Sequence, residues 1–242
     1  MNNPVANPEL LRSLGRLVRG LSALFWGLPL ALVVSVETVK TDWLSSYKVF
    51  PPLIVTGLLL FGLWQLSSFQ KQERPWRNAL GRAEVFALIN FGLSPFLYFW
   101  NQVPGQMFYG FSVCALGVSG LLFLLMLNVV LLRLGAMLPD ETLRVEIKQY
   151  SGLNRTLLTI LLAMVISLFL ILQFAPVRFP ARVADLFSMQ VAIPAFGVQF
   201  DAVWVLWAVG CLLVLLPMAM TMALIWKTKE VILENVFGTS QS

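Results

Sequence analysis

The chain has 242 residues, is 58% hydrophobic and only 12% charged, and carries a formal net charge of +5. Ordinary soluble domains have about a quarter of their residues charged, so this composition places the chain among polytopic membrane proteins. It contains no histidine, which excludes bis-histidine haem, histidine-ligated zinc or copper, and any Ser-His or Cys-His catalytic pair.

Residues 1–19 are polar and basic, with Arg12, Arg16 and Arg19 against Glu9. Leu10, Leu11, Leu14, Leu17 and Val18 recur at helical spacing, predicting a cytoplasmic amphipathic lead-in helix over Pro8–Arg19, lying at the membrane surface. A single six-span transmembrane domain follows over residues 20–226. Its first span, 20–36, carries Pro29 inside, and a short link leads to a second span, 49–69, opened by Pro51 and Pro52. Lys71, Arg74, Arg77 and Arg82 then mark a basic connection.

The third span, 85–100, is short, and Pro95 is expected to bend it by freeing the carbonyl of Phe91. Pro104 and Gly105 force an antiparallel return into the fourth span, 107–132, which has no charged side chain. A helix of that length reaches about 39 Å, more than the roughly 30 Å hydrocarbon core of a bilayer. Asp140 is expected to cap a short amphipathic helix through Tyr150, ahead of the fifth span, 156–177. The apolar stretch Leu186–Phe200 is too short to cross as a helix. Met189, Val191 and Ile193 alternate with Gln190 and Ala192 before the turn residues Pro194–Gly197, which predicts a short outer hairpin or re-entrant segment. The sixth span, 203–226, contains Pro217, and residues 227–242 form a cytoplasmic tail.

Orientation follows from the distribution of basic residues. With both termini inside, Arg12, Arg16, Arg19, Lys71, Arg74, Arg77, Arg82, Arg133, Arg144, Lys148, Arg155, Lys227 and Lys229 are cytoplasmic. Only Lys40, Lys48, Arg178 and Arg182 fall outside, so the positive-inside rule favours this threading. The same scatter of bases between spans, rather than along one stripe, argues against nucleic acid as a partner. Aromatic belts agree, with Trp43, Tyr47, Trp100, Tyr109 and Trp204 at the outer boundary and Trp64, Trp76 and Trp226 at the inner one. Compact size and short loops suggest a bacterial inner membrane.

Leu14-Gly15-Arg16 recurs as Leu80-Gly81-Arg82, and the same offset carries Phe25 onto Phe91 and Pro29 onto Pro95. With Leu153-Asn154-Arg155 as a weaker third copy, the all-α bundle can be read as three helical hairpins, although leucine-rich chains give such matches by chance.

Chemistry is sparse. No ionisable residue lies inside a span; Glu37 and Glu84 stand at span ends, near Lys40 and Arg82, as solvated or paired boundary charges. On the fourth span Gly110, Cys114, Gly117 and Asn128 share one face, suited to close helix packing. The alternative makes Asn128 line a polar path with Asn90. Cys114 and Cys211 lie at similar depths and are expected to be small packing residues rather than a disulfide. No phosphate loop, dinucleotide loop or aspartate cluster is present, so no cofactor or metal is expected. Beyond the lipid bilayer, the expected partners are other membrane subunits or a cytoplasmic ATPase, docking on Arg74, Arg77, Arg82, Arg144 and Lys148.

Two functions of different class fit. One is a non-enzymatic scaffold or accessory membrane subunit. The other is the membrane (permease) subunit of an ATPase-driven or passive transporter. In layout alone, the six spans, lead-in helix, basic second-to-third loop and outer re-entrant segment resemble the membrane half of ABC-type exporters. An enzyme handling phospholipids or isoprenoids ranks behind both.

Overall fold

The structure is a computed structural model and describes residues 8–40, 47–69, 73–103, 105–137, 141–174, 190–193 and 198–237. Trp43, Lys71, Asp140, Arg178, Arg182 and the turn Pro194–Gly197 lie outside the described residues. Seven helices and one strand pair are formed among those described. In order they are α1 (Pro8–Lys40), α2 (Phe50–Ser67), α3 (Arg74–Leu93), α4 (Pro95–Gln102), α5 (Met107–Met137), α6 (Glu141–Phe174), β1 (Gln190–Ile193), β2 (Val198–Asp201) and α7 (Ala202–Phe237). Six stretches are long and apolar enough to cross a bilayer, one each in α1, α2, α3 with α4, α5, α6 and α7.

Helix boundaries show where local signals are obeyed and where neighbouring turns override them. Residues 8–19, expected as a separate surface helix, are the first turns of an unbroken α1, and Pro29 sits inside it. The charged stretch 141–155 likewise runs straight into the fifth span as α6. The last helix continues past Trp226 to Phe237, so Lys227 and Lys229 are helical. α2 and α3 both begin with proline in the first turn, where its missing N–H costs nothing.

The third span does break. Pro95 lacks the N–H that Phe91 O would accept, and the chain restarts there as α4. Ser94 Oγ donates to that freed carbonyl at 2.9 Å, and Thr56 Oγ1 of α2 lies 3.3 Å from Ser94 Oγ. The helix is therefore interrupted at the expected proline, with its orphan acceptor satisfied locally.

The helices pack in a closed ring, α1–α2–α3–α5–α6–α7 and back to α1, with α5 also touching α7, and α4 resting on α1 and α5. Without a hydrophobic drive between helices in lipid, close backbone approach must supply the attraction. Glycine provides it at two seams. A Cβ on Gly20 would lie 2.3 Å from Leu66 Cδ1 and 2.7 Å from Gly62 O, so α1 and α2 touch nearly backbone to backbone. On α5, a Cβ at Gly135 would meet Ile147 Cδ1 of α6 at 2.5 Å. Trp76, expected in the aromatic belt, is instead buried at 1% exposure. Its Nε1–H donates to Phe69 O at 3.1 Å and pins the connection between α2 and α3.

Burial is uneven along the bundle. One apolar cluster gathers Leu17, Leu21 and Leu24 of α1, Leu63 and Leu66 of α2, Trp76 and Leu80 of α3, Phe123–Leu134 of α5, Ile147 of α6 and Leu224, Ile225 and Ile232 of α7. These stretches all lie toward the end that carries Arg12, Arg16, Arg74, Arg77, Arg133 and Lys227, the basic end. At the opposite end, residues 107–118 of α5, 162–167 of α6 and 210–216 of α7 include no buried position. By contrast α2 and the α3–α4 unit have buried residues along their whole length. At that opposite end β1 and β2 pair antiparallel, Gln190 facing Asp201 and Ile193 facing Val198.

Candidate functional site

Hydrogen bonds between helices converge at one place in the described structure. Asn128 of α5, Asn154 of α6 and Thr221 of α7 are buried and mutually bonded where these three helices meet. Asn154 Nδ2 donates to Asn128 Oδ1 and to Thr221 Oγ1, both at 2.9 Å. Asn128 Nδ2 donates to Thr221 Oγ1 at 3.2 Å and to Leu124 O on its own helix at 2.9 Å. The Thr221 hydroxyl donates to Pro217 O at 2.8 Å. Every N–H and O–H of the three side chains is thus used, and the Thr221 oxygen accepts twice while donating once.

One group is left over. Asn154 Oδ1 is buried without a partner, as are Asn90 Oδ1 on α3 and Ser119 Oγ on α5. An unpaired amide oxygen in an apolar surround costs about 1–3 kcal/mol. The node therefore couples three helices at a cost at one acceptor. It can fix register and angle among α5, α6 and α7, and it offers one lone-pair site and no acid–base group.

The face marked on the fourth span separates into two parts. Asn128 is in the node, but Cys114 and Gly117 are exposed and Gly110 is half-buried. Nothing lies within 4 Å of a Cβ built at Gly110 or Gly117. Asn90 is buried on α3, at a distance from the node that no direct hydrogen bond bridges. Cys114 and Cys211 are both free and exposed. Arg74, Arg77, Arg82, Arg144 and Lys148 are exposed at the basic end, and Arg144 Nη2 reaches Ala136 O at 3.4 Å. Lys227 pairs with Glu146, joining α6 to α7 just beyond the node, and Lys229 lies 5.4 Å from the centre of the Trp226 ring.

Two members of the node carried a readable signal that went unused. Thr221 is the one hydroxyl between Val203 and Trp226, and Asn154 sits at the start of the fifth span. Single polar residues in otherwise apolar helices seek one another in lipid, and that rule points to these three. Which of them meet depends on the ring order of the helices. Comparison with protein-family models, curated proteins and solved structures returned no match.

Proposed function

We propose that this protein is a non-enzymatic accessory or scaffold subunit of a membrane complex, with both termini cytoplasmic in a bacterial inner membrane. The observation that carries the reading is the asymmetry of packing. α5, α6 and α7 are locked together at the basic end by the Asn128–Asn154–Thr221 node, yet among the described residues 107–118, 162–167 and 210–216 include no buried position. On α5 this uncovered stretch presents small residues, Gly110, Cys114 and Gly117, with open space over both glycines. Small residues let a second helix approach closely enough for van der Waals contact to replace lipid. The buried polar groups of the node spend their donors on holding helices, which suits a structural role better than a chemical one.

The test is a mild-detergent pull-down of the tagged full chain, with co-purifying chains identified by mass. A stoichiometric membrane protein is expected, and Gly117→Leu should release it while leaving the bundle folded. Recovery of the chain alone from native membranes in several mild detergents would sink the reading. The exposed Arg74, Arg77 and Arg82 favour a second reading, the membrane subunit of an ATPase-driven transporter. In that case a nucleotide-binding chain co-purifies and is lost on combining Arg74→Glu with Arg77→Glu.

A further inference from the structure

The basic end of α2 borders two adjoining concavities that the bundle leaves open. One, of about 290 Å³, lies between α1 and α2 and is lined by Arg16, Trp64, Gln65, Ser67 and Ser68. The other, of about 620 Å³, lies between α2 and α3, walled by Leu60, Phe61, Val85 and Leu88, with Gly81 and Glu84 beside them. Trp64 lines both and is 70% exposed. The pair thus forms one amphipathic site, polar on one side of an indole and apolar on the other.

Its charges are arranged by sign. Among the described residues no carboxylate pairs with Arg16, and no base pairs with Glu84, although Arg82 is two residues away. Ser67 Oγ donates to Trp64 O at 2.7 Å and Ser68 Oγ to Gln65 O at 2.8 Å. Those hydroxyl protons are committed, so the two oxygens remain as acceptors. α2 ends at Ser67, and the C-terminal end of a helix carries a partial negative charge that favours cations. Beside Trp64 the chain therefore sets one guanidinium against two acceptor oxygens and a helix C-terminus, with the Glu84 carboxylate in the neighbouring concavity.

We propose that this site binds a phospholipid of the surrounding leaflet whose headgroup carries both a phosphate and an N–H-bearing ammonium, the chemistry of phosphatidylethanolamine. Arg16 takes the phosphate through its planar donors. The serine oxygens and the α2 C-terminus, which share the concavity with Arg16, take the ammonium. An acyl chain lies in the groove between α2 and α3, against Leu60, Phe61, Val85 and Leu88, with Trp64 at the boundary where indoles settle in membranes. A glycerol headgroup brings no cation, a choline headgroup brings no N–H donor, and a free phosphate leaves the apolar groove empty. The inference does not depend on the partner proposed above.

The experiment uses the full chain, delipidated in mild detergent and offered phosphatidylethanolamine, phosphatidylglycerol or phosphatidylcholine, with retained lipid counted by native mass spectrometry. About one phosphatidylethanolamine per chain is expected, held about tenfold more tightly than either competitor. Arg16→Gln should abolish that preference, and Arg12→Gln should leave it intact. Gly81→Phe fills the groove from a position with nothing within 4 Å of its Cβ, so it tests occupancy without relying on the arginine variant's folding. Equal retention of the three lipids overturns the proposal. So does displacement of the lipid by millimolar inorganic phosphate, or retention unchanged in both Arg16→Gln and Gly81→Phe.

Discussion

Thr221 accepts from two asparagines on two other helices while its own proton goes to Pro217 O, so a single hydroxyl oxygen joins α5, α6 and α7. Thr221→Val keeps the shape but strands one N–H on each asparagine. Because interhelical hydrogen bonds in membranes are each worth about 0.6–1.7 kcal/mol, a loss of about 1–2 kcal/mol is expected in reversible unfolding from mixed micelles. Thr221→Ser should restore most of it, and an unchanged unfolding midpoint for the valine variant would show that the node does not hold the helices. Glycines make an opposite pair of predictions. Gly20→Ala drives a methyl into Gly62 O, a backbone atom that cannot swing aside, so it destabilises despite a helix-propensity gain of about 1 kcal/mol. Gly110→Ala meets nothing and keeps that gain, so the two substitutions should move the unfolding midpoint in opposite directions.

At the level of elements, an interior proline does not always divide a helix. Pro29 stays inside α1, whereas Pro95 divides α3 from α4. The break is stabilised by Ser94 Oγ on Phe91 O, close to Thr56 of α2. Ser94→Ala leaves that carbonyl bare in a buried position, and a loss of about 1–2 kcal/mol is expected in the same unfolding measurement. The Glu146–Lys227 pair between α6 and α7 is a contrasting case. Both side chains are more than 40% exposed, so Lys227→Gln should cost no more than about 0.5 kcal/mol. A larger effect would mean that this end of the bundle is shielded from water by something outside the chain.

Across the described residues, α5, α6 and α7 are tightly packed at the basic end and include no buried position toward the other, while α2 and the α3–α4 unit are buried along their length. Trp26, Ile54 and Trp64 stand outward on the bundle, in positions that lipid covers in a membrane. The proposed threading makes a direct prediction in a chain whose two native cysteines have been replaced. Lys40→Cys and Gln190→Cys should react with an impermeant thiol reagent in intact cells, and Asn78→Cys only after permeabilisation. Outside labelling at position 78 would invert the topology and move the uncovered faces of α5, α6 and α7 to the cytoplasmic half.

Six helices apolar and long enough to cross a bilayer were legible in the residues alone, because helix length and hydropathy are set locally. The interruption at Pro95 and its freed Phe91 carbonyl were legible for the same reason, as a proline's missing N–H acts on its own turn. Asn128 stood out as a lone amide in an apolar run, but its partners did not. Asn154 and Thr221 are 26 and 93 residues away from it, and only the order of helices in the ring brings them together. Glycine was the least legible residue. Gly117 and Gly20 look alike in sequence, yet one faces open space and the other a helix backbone. Trp76 moved from an expected belt position into the core because an indole N–H could reach Phe69 O there. Each of these depends on how the helices pack, since close approach, hydrogen-bond pairing and exposure to lipid are properties of two or more helices at once.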